Sequence, residues 1–141
     1  MSSFIHAEYP VQTGDYTRAG EASADIKRRL KQLGVSGMVM RRVAVASYEV
    51  ELNLVIHSLG GQLTLDVDAD GIWLVSQDVG PGIPDVSMAM REGYSTASEE
   101  ARSLGFGAGM GLPNMKRNAD DFDIQSELGK GTRISMRFNL A

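Results

Sequence analysis

Glu49, Asn53 and His57 recur at intervals of four residues. On a helix that spacing stacks them along one stripe, while Val50, Leu54 and Val55 point elsewhere. A carboxylate, an amide oxygen and an imidazole in one row can hold a hard cation and set a proton acceptor beside it. The same row also reads as the solvated face of an ordinary helix.

A second place is the stretch DVGPGIPD, Asp78 to Asp85, which follows the strand-like run GIWLVSQ. An acid where a strand stops can accept a hydrogen bond from an amino group such as that of adenine. Gly80 and Gly82 would let the backbone approach a flat ring with no side chain between. A tight turn into a helix, with Pro84 at its first position, accounts for the same residues without a ligand. Third, Gly105, Gly107, Gly109 and Gly111 alternate ahead of Leu112. Such a run can aim successive N–H groups at phosphate oxygens, with a helix N-terminus adding its dipole. It is neither a Walker loop, which needs a following Lys-Ser/Thr, nor a G-x-G-x-x-G fingerprint. A plain linker would not end in the amphipathic Leu-Pro-Asn-Met-Lys-Arg segment. Fourth, Gly129-Lys-Gly-Thr132 reads as a hairpin turn whose threonine matters only if its strand borders a ligand pocket.

Positioning these groups falls to a chain of 141 residues, enough for one domain with its own core. Phe4 to Val11 reads as a strand and Asp15 to Leu33 as a helix, with Gly34 as its stop. Gly37 to Leu59 is a longer helix, with Val39, Val43, Ala46, Val50 and Leu54 three or four apart. Gln62 to Val67 and Ile72 to Val79 alternate polar and apolar residues around a turn at Ala69-Asp70-Gly71, a hairpin pattern. Pro84 to Arg91 reads as a short helix and Gly93 to Gly109 as a loop. Gly111 to Asn118 is a further helix, and Phe122 to Leu128 with Thr132 to Leu140 a second hairpin. Helices between hairpins imply an α+β fold, a two-layer α/β sandwich. Its mixed, mostly antiparallel sheet carries helices on one face and leaves the other solvated or open to a partner. Arg28, Arg29, Arg41 and Arg42 are expected on exposed helix faces.

The net charge of −4 argues against general binding of nucleic acid. Cysteine is absent, so disulfides and thiolate zinc sites are excluded, in keeping with a cytoplasmic location. No apolar run approaches the roughly 18 residues of a membrane span, and the N-terminus lacks a signal-peptide plan.

Taken in order, E-x-x-x-N on a long helix, D-x-G-x-G after a strand, G-x-G-x-G-L and a terminal G-x-G-T resemble the GHKL ATPase superfamily. The resemblance covers essentially the whole chain, as one ATP-binding kinase domain over residues 1–141. It implies that Glu49 is the catalytic base and that Asn53 is a ligand of Mg²⁺. It further implies that Asp78, Gly80 and Gly82 receive the adenine of ATP, with Thr132 helping to hold Asp78 and a water there. Gly105, Gly107, Gly109 and Gly111 become the phosphate lid. The E-x-x-x-N-x-x-x-H pattern ending at His57 looks like the anti-sigma-factor kinase branch. A stand-alone module of this length is similar to the small bacterial serine kinases of the RsbW and RsbT type. These phosphorylate a serine or threonine on a STAS-domain partner of the anti-sigma-antagonist kind, and some also sequester a sigma factor. The run Glu92 to Thr96 is closer to the RsbT side, whereas Ala97 to Leu104 makes a longer, more acidic lid than that side implies. A homodimer is an arrangement of the RsbW-like branch. Two alternatives stay open: a nucleotide-gated anti-sigma factor or adaptor with little or no kinase activity, and a histidine-kinase ATP domain acting in trans.

Overall fold

A computed structural model describes residues 4–80, 82, 83, 86, 90 and 111–140. Its strands are β1 (Ile5–Val11), β2 (Gly61–Asp68), β3 (Gly71–Asp78), β4 (Asp121–Glu127) and β5 (Gly131–Phe138). Its helices are α1 (Glu21–Leu33), α2 (Gly37–His57) and α3 (Gly111–Asn118). The five strands form one sheet in the order β1-β2-β3-β5-β4, antiparallel at every described pairing. The expected short helix at Pro84 to Arg91 lies largely outside the described residues, and the loop from Gly93 to Gly109 entirely so.

Alternation decides which face of the sheet is covered, because neighbouring side chains on a strand point to opposite sides. Leu63, Leu65 and Val67 on β2 are fully buried, as are Ile72 and Leu74 on β3 and Phe138 on β5. The register sets Ala7, Leu65, Leu74, Met136 and Phe122 in one row across all five strands. The opposite face carries the row His6, Asp66, Trp73, Arg137 and Asp121. Here His6 Nδ1 meets Asp66 Oδ1 at 2.5 Å and Arg137 Nε donates to Asp121 Oδ2 at 2.6 Å. Apolar burial on one side and paired charges on the other give the two-layer α+β sandwich that the order of elements predicts.

The helical layer meets the buried face with α2 between α1 and α3. Val39, Val43, Ala46, Val50 and Leu54 are all buried, as their spacing predicts. Ser36 caps α2, its Oγ accepting from Val39 N–H at 3.3 Å. At the end of α1, Gly34 adopts φ +83 and Val35 N–H reaches Leu30 O at 3.1 Å. That geometry satisfies a carbonyl the helix would leave free.

Two details depart from expectation. Helix α1 begins at Glu21 rather than near Asp15, because Gly20 turns left-handed at φ +100 and no side chain of its own caps the helix. Arg42, expected on an exposed face, instead ties α2 to the end of α3. Its Nε donates to Asn118 O at 2.9 Å, and its guanidinium lies 3.1 Å from Asp120. Among the described residues no helix is long and apolar enough to cross a membrane.

Candidate functional site

Asp78 is the last residue of β3 and faces the helical layer, opposite Gly61 in the register. A Cβ at Gly61 would lie 2.7 Å from Leu54 Cδ2 and 3.0 Å from Asp78 Cβ, so α2 and the end of β3 meet here without spare room. One carboxylate oxygen is occupied: Thr132 N–H donates to Asp78 Oδ1 at 2.9 Å. The other has no partner among the described residues. Burial pushes the Asp78 carboxyl above its ordinary value, opposed in part by that Thr132 N–H. The turn that follows is pinned from both sides, with Leu59 N–H donating to Val79 O at 2.7 Å and Gly80 N–H to Lys130 O at 3.2 Å.

Glycine is required at two points of this corner. Gly131 has φ +151, and a Cβ there would stand 2.1 Å from the Asp78 carbonyl oxygen. Gly82 has φ +77, and its Cβ would stand 2.6 Å from Glu127 O. The backbones of the post-β3 turn and the β4–β5 hairpin therefore touch directly, as Gly82 of D-x-G-x-G and Gly131 of G-T permit. Gly80 differs, since a Cβ there would meet only ordinary contacts, including Asp78 Oδ1 at 3.6 Å.

Glu49 lies at the other end of the site, on α2 and half-buried. Asn53 follows one turn later on the same helix and is also partly exposed. A rise of about 1.5 Å per residue spaces them about 6 Å along the axis. Helix α3 closes over Glu49: Asn114 Nδ2 donates to Glu49 Oε2 at 3.1 Å, and a Cβ at Gly111 would lie 3.6 Å from the same oxygen. Asn114 is itself oriented, because Arg117 donates to its Oδ1 at 2.9 Å. The structure thus joins Asp78, Gly80, Gly82 and Thr132 in one corner and Glu49 with Gly111 in another, with α2 running between. Gly105, Gly107 and Gly109 lie outside the described residues, as does the His57 side chain.

Three residues that the sequence reading passed over belong to this architecture. Ser126 on β4 faces Thr132 in the register, and their hydroxyls meet at 2.9 Å. Asn114 contacts Glu49. Glu51, 3% exposed, accepts the N–H groups of Gly20, Ala22 and Ser23 at 3.0–3.1 Å and so caps α1 from the neighbouring helix. A signal for Glu51 does exist, for it shares a helical face with buried Ser47 and Val55 at i−4 and i+4. An acid on a buried face needs partners, and here they are backbone donors.

Residues 38–141 match the family described as histidine kinase-, DNA gyrase B-, and HSP90-like ATPase. The serine/threonine-protein kinase RsbT of Bacillus subtilis (strain 168) is 34% identical over 108 residues, 74% of this chain and 75% of that protein. The anti-sigma F factor of Clostridium kluyveri is 32% identical over 100 residues, 67% of each chain. That of Clostridium acetobutylicum is 31% identical over 104 residues, 70% of this chain and 69% of its own.

Proposed function

Because the chain belongs to the histidine kinase-, DNA gyrase B- and HSP90-like ATPase family, we propose that it is an ATP-dependent serine/threonine protein kinase. Its protein substrate is a STAS-domain partner of the anti-sigma-antagonist type, the class the resemblance to RsbW- and RsbT-type kinases implies. The observation that carries the reading is the corner at Asp78. A half-buried carboxyl keeps one oxygen for Thr132 N–H and leaves the other without a partner among the described residues, beside backbone that only glycine can supply. Such an acceptor in a partly desolvated corner fits an exocyclic amino group, whose burial would otherwise leave donors unpaired.

Asn53 and Glu49 would serve the phosphate end. A magnesium ion held here would supply positive charge against the negative charge that builds in phosphoryl transfer. Asn53 would supply an oxygen to it, one protein ligand being enough for an ion that keeps waters and phosphates in its shell. Glu49 would accept the proton of the attacking hydroxyl, and Gly111 with the glycines before it would present N–H groups to the phosphates. Phosphoryl transfer asks little covalent chemistry of the protein, so alignment of these groups is the catalytic contribution. ATP as donor places the reaction in the cytoplasm. Elements from Ile5 to Phe138 share one core, which supports reading residues 1–141 as a single domain.

Similarity to anti-sigma F factors supports a second reading, in which nucleotide state gates the binding of a sigma factor or adaptor. The experiment is calorimetric titration with ATP, with and without Mg²⁺, of the wild type and Asp78→Asn, followed by transfer assays with Glu49→Gln. Magnesium-dependent binding lost in Asp78→Asn, and transfer lost in a Glu49→Gln variant that still binds ATP, is the expected result. Transfer unchanged in Glu49→Gln would sink the base assignment. Nucleotide binding with no transfer to any STAS partner would give the second reading first place.

A further inference from the structure

Helices α2 and α3 are pinned together at two places, seven residues apart on each helix. On α2 the places are Arg42 and Glu49, and on α3 they are Asn118 and Gly111. At one pin Arg42 Nε donates to Asn118 O at 2.9 Å, and the same guanidinium lies 3.1 Å from Asp120 Oδ1. At the other, a Cβ on Gly111 would lie 3.6 Å from Glu49 Oε2, to which Asn114 Nδ2 donates at 3.1 Å. Seven residues of helix rise about 10.5 Å. Between the pins the two helices therefore run antiparallel and in step.

The pin at Arg42 is backed by the sheet. Asn139 N–H donates to Asp120 Oδ2 at 2.7 Å, and Asp120 N–H donates to Arg137 O at 2.8 Å, so the chain leaving α3 is tied to the end of β5. A helix of eight residues cannot hold itself in place. Leu112, Pro113 and Met115 bury its apolar side, but apolar contact is non-directional and does not fix how far a helix slides or turns. Directional bonds do. A planar guanidinium that meets two oxygens sets both distance and angle, and its charge suits the negative end of the helix.

We propose that Arg42 is a positioning residue for the phosphate end of the nucleotide site: by fixing the C-terminal end of α3, it sets where Gly111 and Asn114 stand against Glu49. The inference rests on the reading above, in which the N-terminal end of α3 serves the phosphates. Arg42 touches neither the nucleotide nor Glu49 in this scheme. Without it α3 can shift along α2, and a displacement of about 1 Å is enough to spoil the alignment of its N–H groups. The Asp78 corner lies beyond the other end of this contact, against Leu54 of α2 and Thr132 of β5. Loss of Arg42 therefore acts on the phosphates and spares the base.

The experiment titrates the wild type, Arg42→Ala and Arg42→Lys with ATP and Mg²⁺ by calorimetry, and with adenosine by NMR shifts. Adenosine carries the base without phosphates, so the ratio of the two affinities isolates the phosphate end. Arg42→Ala is expected to bind ATP about tenfold more weakly, the scale of one hydrogen bond to a charged group, and to bind adenosine as the wild type does. A general loosening of the fold would weaken both ligands alike and leave the ratio unmoved. Arg42→Lys keeps the charge without the fork, and its ratio is expected to fall between the other two. Equal weakening of ATP and adenosine in Arg42→Ala would overturn the proposal, as would a ratio equal to that of the wild type. Should Arg42→Ala fail to fold, Arg42→Lys carries the same comparison with a smaller change of the same sign. A wild type that binds neither ligand would overturn the nucleotide-site reading itself, an outcome distinct from an unmoved ratio in the variants.

Discussion

Asn114 on α3 holds the carboxylate of Glu49 on α2 through a single 3.1 Å hydrogen bond, and Arg117 holds Asn114 in turn. A residue three positions past the glycine-rich run therefore steers the side chain proposed as the base. Asn114→Ala should slow phosphoryl transfer by about tenfold, because a misplaced base loses alignment rather than chemistry. Affinity for ATP should change by less than about twofold, since Asn114 is remote from the Asp78 corner. Asn114→Asp, which sets a second carboxylate against Glu49, should slow transfer further. Single-turnover rates beside calorimetric affinities check this; a loss confined to affinity would detach Asn114 from Glu49.

Glu51 tests the fold rather than the chemistry. Its two oxygens satisfy three N–H groups at the start of α1, and Gly20 brings no cap of its own. Glu51→Gln keeps the shape but only one acceptor oxygen, so buried donors go unpaired. Each such loss costs about 1–3 kcal/mol, and thermal or urea unfolding of Glu51→Gln should show about 2 kcal/mol of destabilisation. A variant as stable as the wild type would mean that α1 does not depend on this cap.

The contrast between Glu49 and Glu51 shows what the sequence made legible. Helix α2 was readable from the spacing of Val39, Val43, Ala46, Val50 and Leu54, and with it the placing of Glu49 and Asn53 one turn apart on that helix. The first hairpin was readable from period-two alternation around Ala69-Asp70-Gly71, and the second from the turn at Gly129-Lys130-Gly131 between two short segments. What could not be read was which side chains meet across elements. Ser126 and Thr132 are partners because of strand register, Asn114 and Glu49 because α3 packs on α2. The start of α1 was misplaced for the same reason: its cap lies 28 to 31 residues away in sequence, on another helix. Local propensity has no access to such contacts.

Gly129 and Gly131 flank one lysine in the β4–β5 turn, yet alanine should affect them differently. Gly129 has φ +78 and nothing within 4 Å of an added Cβ, so Gly129→Ala should cost about 1 kcal/mol through backbone strain alone. At Gly131 the added Cβ would collide with the Asp78 carbonyl at 2.1 Å. Gly131→Ala must push β5 away from β3, and should both destabilise the chain more than Gly129→Ala and abolish ATP binding. Equal ATP affinities for the two variants would show that contact at Asp78 does not govern the site.

Asp78 carries an electrostatic penalty that should appear in the absence of nucleotide. Its carboxyl is raised by burial, so the folded chain holds this proton to higher pH than the unfolded chain does. The penalty is absent below the ordinary carboxylate value of about 3.9 and grows as pH rises through the window above it. Asp78→Asn removes the charge and keeps an oxygen for Thr132 N–H. The unliganded variant should therefore be at least as stable as the wild type at pH 7, with the difference closing as pH falls towards 4. Calorimetric unfolding at several pH values measures this directly, and a clearly less stable variant at pH 7 would contradict the burial argument.

Asp25 behaves in the opposite sense. Tyr9 O–H donates to its Oδ2 at 2.5 Å, Arg29 Nε donates to the same oxygen at 2.8 Å, and Arg28 reaches the other. The Tyr9 and Arg29 bonds, in that order, hold the carboxyl far below its ordinary value, with Arg28 adding to them against some burial. Tyr9 is pushed up to about 12, first by burial and then by the bond to Asp25. Because these bonds favour the ionised carboxylate, their contribution is present above about pH 3.9 and is lost as pH falls from there towards the depressed folded value. Asp25→Asn should cost about 1 kcal/mol at pH 7, the scale of a partly exposed charged hydrogen bond. Its gap from the wild type should narrow steadily below pH 4. Tyr9→Phe, which removes only the link from β1 to α1, should lose less at pH 7 because both arginines keep Asp25 ionised. A gap that stayed constant down to pH 2 would show that Asp25 acts through packing and not through its charge.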